Sequence, residues 1–157
     1  MSETIEIIFE NINIDSAFKS IIELAESRQN LVSAEILALK NPPKIDTSNF
    51  NETKLFLKNQ SEVTLFLNLN SIKTEKFTIE KPSLMLKKYT NDLSLFIIFD
   101  KNNLITNSPN ASFASHLKDW ALDYKSKIKA DSTFCGLEPA TDFDTRFFTD
   151  DSLGPLI

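Results

Sequence analysis

The sequence predicts an α+β fold: a single domain over residues 1–157, one curved antiparallel sheet with two helices packed on one face, and an ordered C-terminal tail. Three observations predict it. Between Val63 and Phe99 the chain reads as strands in quick succession, with connections short enough for hairpins. Two stretches, one early and one late, carry apolar residues at helical spacing, and strands gathered apart from helices indicate α+β. Both glycines, Gly136 and Gly154, fall within the twenty-three residues from Cys135 to Ile157, where with Pro139 and Pro155 they punctuate a defined backbone path.

Taken in order, Thr4 to Phe9 places Ile5, Ile7 and Phe9 on one face and Glu6 and Ile8 on the other, a strand with one fully dry side. Asp15 is read as the N-cap of a helix whose apolar face is Phe18, Ile21, Ile22 and Ala25 and which should stop near Asn30. Leu31 to Leu39 is the next strand, ended by Asn41-Pro42-Pro43. Pro42 to Glu52 reads as a polar surface loop, followed by the short apolar run Leu55, Phe56, Leu57. Four strands follow: Val63 to Leu69, Ile72 to Glu80, Ser83 to Tyr89 and Leu93 to Phe99. The last is apolar on both faces and is assigned to the centre of the sheet. Ser108-Pro109 marks a capped helix start, and Phe113, Leu117, Trp120, Tyr124 and Ile128 recur along one face to Ala130. Asp123 and Lys127 form an i,i+4 pair on its exposed side.

Composition excludes several classes of function. Hydrophobic residues at 41% and charged residues at 25%, with thirteen phenylalanines, describe a folded chain and not a disordered one. The start MSETIEIIFEN lacks the basic flank and unbroken apolar core of a signal peptide, and no stretch approaches eighteen apolar residues. A cytoplasmic protein without membrane contact is expected. The single Cys135 cannot close an internal disulfide, which agrees with a reducing compartment. A pI near 4.9 argues against direct binding of nucleic acid, which needs clustered positive charge, and favours a basic protein partner.

No catalytic residue, cofactor or metal site is expected. His116 has no nucleophile beside it, and Cys135, between an apolar run and a glycine, is read as buried packing. Asp142-Phe143-Asp144-Thr145 is superficially like a magnesium-holding carboxylate pair, but the buried strand and the α/β domain that such a pair needs are missing around it. Two glycines cannot supply a dinucleotide fingerprint or a P-loop.

The C-terminal segment concentrates charge: Glu138, Asp142, Asp144, Asp150 and Asp151 against Arg146 contribute −4 of the formal −5. Gly136, Arg146, Phe147, Phe148 and Gly154 are assigned to holding this segment in place, with Arg146 pairing to Glu138 or Asp142; Leu137, Phe143, Leu153, Leu156 and Ile157 are further apolar anchors. The five carboxylates, on a rigid support, are expected to meet the basic cleft of a partner in the place of phosphates. The string GLEPATDFDTRFFT followed by LGPL resembles a C-terminal signature of small immunity proteins of bacterial polymorphic toxin and contact-dependent growth inhibition systems. That resemblance implies a cytoplasmic inhibitor that binds one cognate toxin domain, often a nuclease, as a monomer or in a 1:1 complex. Two other classes fit the composition: an acidic secretion chaperone holding an extended effector segment, and a small-molecule-binding or enzyme domain with a pocket between sheet and helices.

Overall fold

Alternation in the first strand sets the architecture. In β1 (Thr4–Glu10) Ile5, Ile7 and Phe9 are fully buried in the main core, whereas Ile8 packs in a second, smaller cluster on the opposite face. The computed structural model describes residues 3–26, 30–38, 50–107 and 112–156. Within them α1 (Ile14–Glu26), β2 (Leu31–Ala38), α2 (Phe50–Lys58), β3 (Glu62–Leu69), β4 (Ser71–Lys73), β5 (Phe77–Glu80), β6 (Ser83–Tyr89) and β7 (Asp92–Asp100) follow β1. Then come β8 (Leu104–Thr106), α3 (Phe113–Ile128), β9 (Ser132–Leu137), β10 (Arg146–Thr149) and β11 (Ser152–Leu153).

Eight strands form one antiparallel sheet in the order β11-β10-β9-β1-β7-β6-β3-β2. Strand β7 sits between β1 and β6, the central place expected for the apolar run Leu93 to Phe99. Its burial alternates strictly, with Leu93, Leu95, Ile97 and Phe99 facing the core and Phe96 and Ile98 half-covered on the other side. The β6–β7 hairpin turns at Thr90, whose φ of 56° lies in the left-handed region, and pairs Tyr89 with Asp92.

The helices pack on the inward-facing residues of these strands. Phe18 and Ile21 of α1, Phe50 and Leu57 of α2 and Leu117, Ala121 and Ile128 of α3 belong to the same buried cluster as Leu65, Leu86 and Leu95. Aromatic rings tie α3 to its surroundings: Trp120 stacks on Tyr124 at 4.9 Å, and Phe9 meets the Tyr124 ring edge-on at 5.4 Å. Such contacts add about 0.5–1.5 kcal/mol each beyond area burial.

The structure corrects the expected fold class in two respects. Three helices are present among the described residues, not two, because the segment read as loop and short apolar run contains α2. Its nine residues bury Phe50, Thr53 and Leu57, and a helix that short depends on tertiary partners. Lys88 supplies one, its Nζ bonding the last carbonyls of α2, Leu57 and Lys58, at 3.0 Å each. Lys54 and Lys58 supply another by pairing with Asp15 at 3.2 and 3.0 Å. Secondly, the sheet is open and not strongly curled: β11 and β2 are its two edges and do not meet. Curvature is introduced by bulges and glycines, and here the register breaks only near the edges, at Leu31/Ser33 and Arg146/Phe148.

Smaller expectations are also corrected. Helix α1 begins at Ile14, with Asn13 Oδ1 accepting from the Ser16 N–H at 2.9 Å, so the cap is Asn13 and Asp15 lies in the first turn. The helix ends by Glu26, and Asn30 beyond it is a bracket: its amide donates to the Leu24 and Ser71 carbonyls at 2.8 Å each and accepts from Ser71 N–H at 2.9 Å. Ile72 to Glu80 is not one strand. It folds back at Thr74, whose Oγ1 accepts from Phe77 N–H at 3.0 Å, giving the β4–β5 hairpin of a separate three-stranded sheet with β8. Strand β3 consequently pairs with β6 and not with its immediate successor. Helix α3 starts at Phe113; the proposed cap at Ser108-Pro109 and the Asn41-Pro42-Pro43 stop lie outside the described residues. Ion pairs close among the described residues at Asp15, at Glu3 with Lys101 and at Asp150 with Lys125, while Asp123 and Lys127 do not form one.

Candidate partner-binding surface

The C-terminal segment does not lie on the sheet as a covering strap; it becomes part of it. Strand β9 pairs with β1, β10 pairs with β9, and β11 closes a hairpin on β10. Beyond β11 the pairing continues, with Gly154 N–H donating to Phe147 O at 2.8 Å and Leu156 N–H to Arg146 O at 3.0 Å.

Both glycines serve this arrangement by close approach, and neither has a positive φ. A Cβ on Gly136 would collide with the Thr145 carbonyl oxygen and stand 2.9 Å from Arg146 Cα. A Cβ on Gly154 would collide with the Arg146 carbonyl oxygen and stand 2.8 Å from its carbon. The backbone at Arg146 is therefore held between two positions that tolerate only hydrogen.

The Arg146 side chain completes the clamp, with partners other than those expected. It pairs with neither Glu138 nor Asp142. Nε donates to Ala140 O at 2.9 Å, Nη1 to Thr149 Oγ1 at 3.1 Å and Nη2 to Thr141 O at 3.4 Å, while the guanidinium lies 4.2 Å from the centre of the Phe134 ring. Arginine suits this because its planar head can stack and donate at once. Phe148 is fully buried and Phe147 nearly so, the latter edge-on to Phe113 of α3 at 5.2 Å. Phe143 and Leu153, expected as anchors, are instead 61% and 51% exposed; Leu137 and Leu156 are partly buried against the core, and Ile157 lies outside the described residues.

This framework separates the five acidic residues into two groups. Glu138, Asp142 and Asp144 are exposed on the connection from β9 to β10. That connection crosses the face of the sheet opposite the helices, where Ala140 packs with Ile8, Phe96 and Phe134. Asp150 and Asp151 sit at the other end of β10, in the turn to β11. Asp151 is exposed, but Asp150 is engaged within the molecule: its backbone has a φ of 48°, its N–H donates to Thr133 O at 2.7 Å, and its carboxylate accepts from Thr133 N–H at 3.0 Å and Lys125 Nζ at 2.9 Å. Partial burial pushes this carboxyl up, and the bonds from Lys125 and Thr133 outweigh that and hold it below the ordinary range.

Residues weighed for chemistry take structural places. Cys135 is wholly buried in β9, where burial and then the nearby Glu6 push its thiol well up, the opposite of a reactive thiolate. His116 is on α3 with Nε2 enclosed and unbonded. A cleft of about 590 Å³ opens on the helix side, lined by Ser20, Glu23, Asn30, Lys73, Trp120 and Tyr124, and burial pushes the Tyr124 phenol up. Sequence reasoning missed Glu6: its carboxyl, on the face opposite the helices, is raised first by desolvation and then by Glu138. The alternation of β1 places it on that face, but the residues that bear on it there, Gly136 across the ladder and Glu138, come from the other end of the chain. Among the described residues no helix is long and apolar enough to cross a membrane.

The segment thus forms a clamped edge of the sheet with a loop of exposed carboxylates carried across one face. By comparison with known families, the chain belongs to the PABL017 Cdi1I immunity protein family, whose model matches residues 3–153. It is thus an immunity protein of a contact-dependent growth inhibition system and not an enzyme, which removes the enzyme reading. No curated protein matches it at the sequence level. Among solved structures it is similar to a chain in the crystal structure of the toxic C-terminal tip of CdiA from Pseudomonas aeruginosa in complex with immune protein, with a TM-score of 0.76, 20% identity and 100% of both chains covered. At that identity the likeness is one of fold.

Two outcomes follow from the clamp. Gly136→Ala should lower stability by more than about 2 kcal/mol in urea unfolding, because the clash is with backbone that cannot move aside; parental stability would show that the approach is looser than described. Asp150 has a depressed pKa, so its contribution is complete above the ordinary carboxylate range and is lost as pH falls through the lowered value. Between about pH 5 and pH 2 the stability of Asp150→Asn should therefore fall less steeply than that of the parent.

Proposed function

We propose that this chain binds the toxic C-terminal tip of a cognate CdiA protein in the cytoplasm, as one immunity chain per tip, and neutralises it by covering a basic active-site cleft, the tip being a nuclease. The observation that carries the reading is the family match over residues 3–153. The similar structure supports it, since it holds a CdiA toxic tip in complex with an immune protein. Glu138, Asp142 and Asp144 on the crossing loop, with Asp151 at the far turn, are the carboxylates free to meet lysines and arginines of such a cleft. Arg146 and the two glycines hold the loop before the partner arrives, so little ordering entropy opposes association. Charges of this kind steer the encounter and raise the association rate, an effect that salt reduces.

Reversing Glu138, Asp142 and Asp144 together to lysine should weaken binding of the cognate tip by at least about a hundredfold and make the residual association less sensitive to salt, with the melting temperature nearly unchanged. Calorimetry on the pair, beside a test of whether the variant still blocks toxin activity, measures this. Full affinity in the folded triple variant would remove these carboxylates from the interface.

A further inference from the structure

The face of the sheet opposite the helices holds one carboxylate that the surface described so far leaves without a role. Glu6 stands in the middle of β1, between β7 and β9, with Ile98 as its cross-strand neighbour on one side and Gly136 on the other. It is only 6% exposed, and no hydrogen bond or ion pair reaches its side chain from the described residues. Its stem is covered, while its carboxylate oxygens are not among the enclosed unbonded atoms and keep an opening to the surface. The charge bearing on it most is that of Glu138, which repels it. Arg146 belongs to the same cross-strand row, opposite Gly136, yet it turns its donors to Ala140, Thr141 and Thr149 and lies over Phe134. Beside Glu6, Phe96 and Ile98 form half-covered apolar surface on the same face.

We infer that Glu6 and Glu138 together seat a lysine or arginine side chain of the bound toxin tip, with Phe96 and Ile98 making the apolar contact around it. The inference rests on the function proposed above and names a specific contact within it. A cation at this place relieves the repulsion between two like charges and supplies the partner that the Glu6 carboxylate lacks among the described residues. Apolar neighbours exclude water from such a pair, which is where an interfacial charge contact gains most. Glu6 is also the part of the surface that lies closest to the sheet itself, so its position is fixed by the pairing of β1 with β7 and β9 and not by a loop.

The test is calorimetry of the folded full chain with its cognate CdiA tip at neutral pH, for the parent, Glu6→Gln, Glu138→Gln and the double variant, with a thermal melt of each. Glutamine keeps the shape and removes the charge. Each single substitution is expected to weaken binding at least about tenfold, and the double by less than the product of the two, because one cation serves both. Glu6→Gln should melt no lower than the parent, since it removes a charge that partial burial and Glu138 disfavour. Parental affinity in a folded Glu6→Gln variant overturns the inference while leaving the proposed function intact. If Glu6→Gln does not fold, Ile98→Lys, which sets a like charge beside the proposed cation on the half-covered face, takes its place, and parental affinity in that folded variant overturns the inference in the same way. Failure of the parent itself to bind the tip overturns the proposed function and this inference together.

Discussion

The contact on which the rest of this structure depends is the packing of the Arg146 backbone between Gly136 and Gly154. Because neither glycine carries a Cβ, β10 can approach β9 at its bulge and the following residues can return across Arg146 to bond Phe147 and Arg146 carbonyls. From that placement follow the burial of Phe147 and Phe148, the docking of the Asp150 turn on Lys125 of α3, and the path of the 138–145 connection over the sheet. The Arg146 side chain then fastens the connection by bonding its carbonyls from beneath. The chain contains only these two glycines, and both are placed where two backbones nearly touch.

A division of labour between the two faces of the sheet results. One face carries the helices and nearly all of the buried side chains, so stability resides there. The other holds a small apolar cluster at Ile8, Phe96 and Phe134, the crossing loop with its carboxylates, and Glu6 of β1. For the partner contact proposed above, a strand-backed face with a clamped loop keeps its shape while its carboxylates remain unneutralised. Asp150 illustrates the difference: on the same acidic segment, it is held by Lys125 and Thr133 and contributes to the fold.

Much of this was legible in the sequence where a residue's role is set by close neighbours. The alternation in β1, the apolar run of β7 and the helical spacing in α1 and α3 each report local geometry, and the strands and helices stand where those patterns put them. The string GLEPATDFDTRFFT pointed to the immunity proteins before any fold was known, and the family match agrees. What was not legible depends on distant partners. Helix α2 is too short to declare itself and is fixed by Lys88 and Asp15 from other elements. The break at Thr74 depends on a side-chain hydroxyl folding the chain back, within a stretch whose apolar residues suit one longer strand equally well. Arg146 was assigned a carboxylate by proximity of charge, whereas loop carbonyls and a phenylalanine ring surround it in space. Glu6 reads from β1 alone as one residue of the outward face, because Gly136 and Glu138, which bear on it, come from the other end of the chain.

On the function proposed above, the toxin tip meets the face opposite the helices, where the crossing loop displays its carboxylates. Zero-length carbodiimide cross-linking of the complex, read by peptide mass spectrometry, tests it directly, since a carboxylate joins only to an amine in contact with it. Links are expected from toxin lysines to Glu138, Asp142 and Asp144, with none from Glu23 of α1 or Glu52 of α2 on the helix side. Links confined to the helices, with the crossing loop unmodified by the toxin, would contradict it.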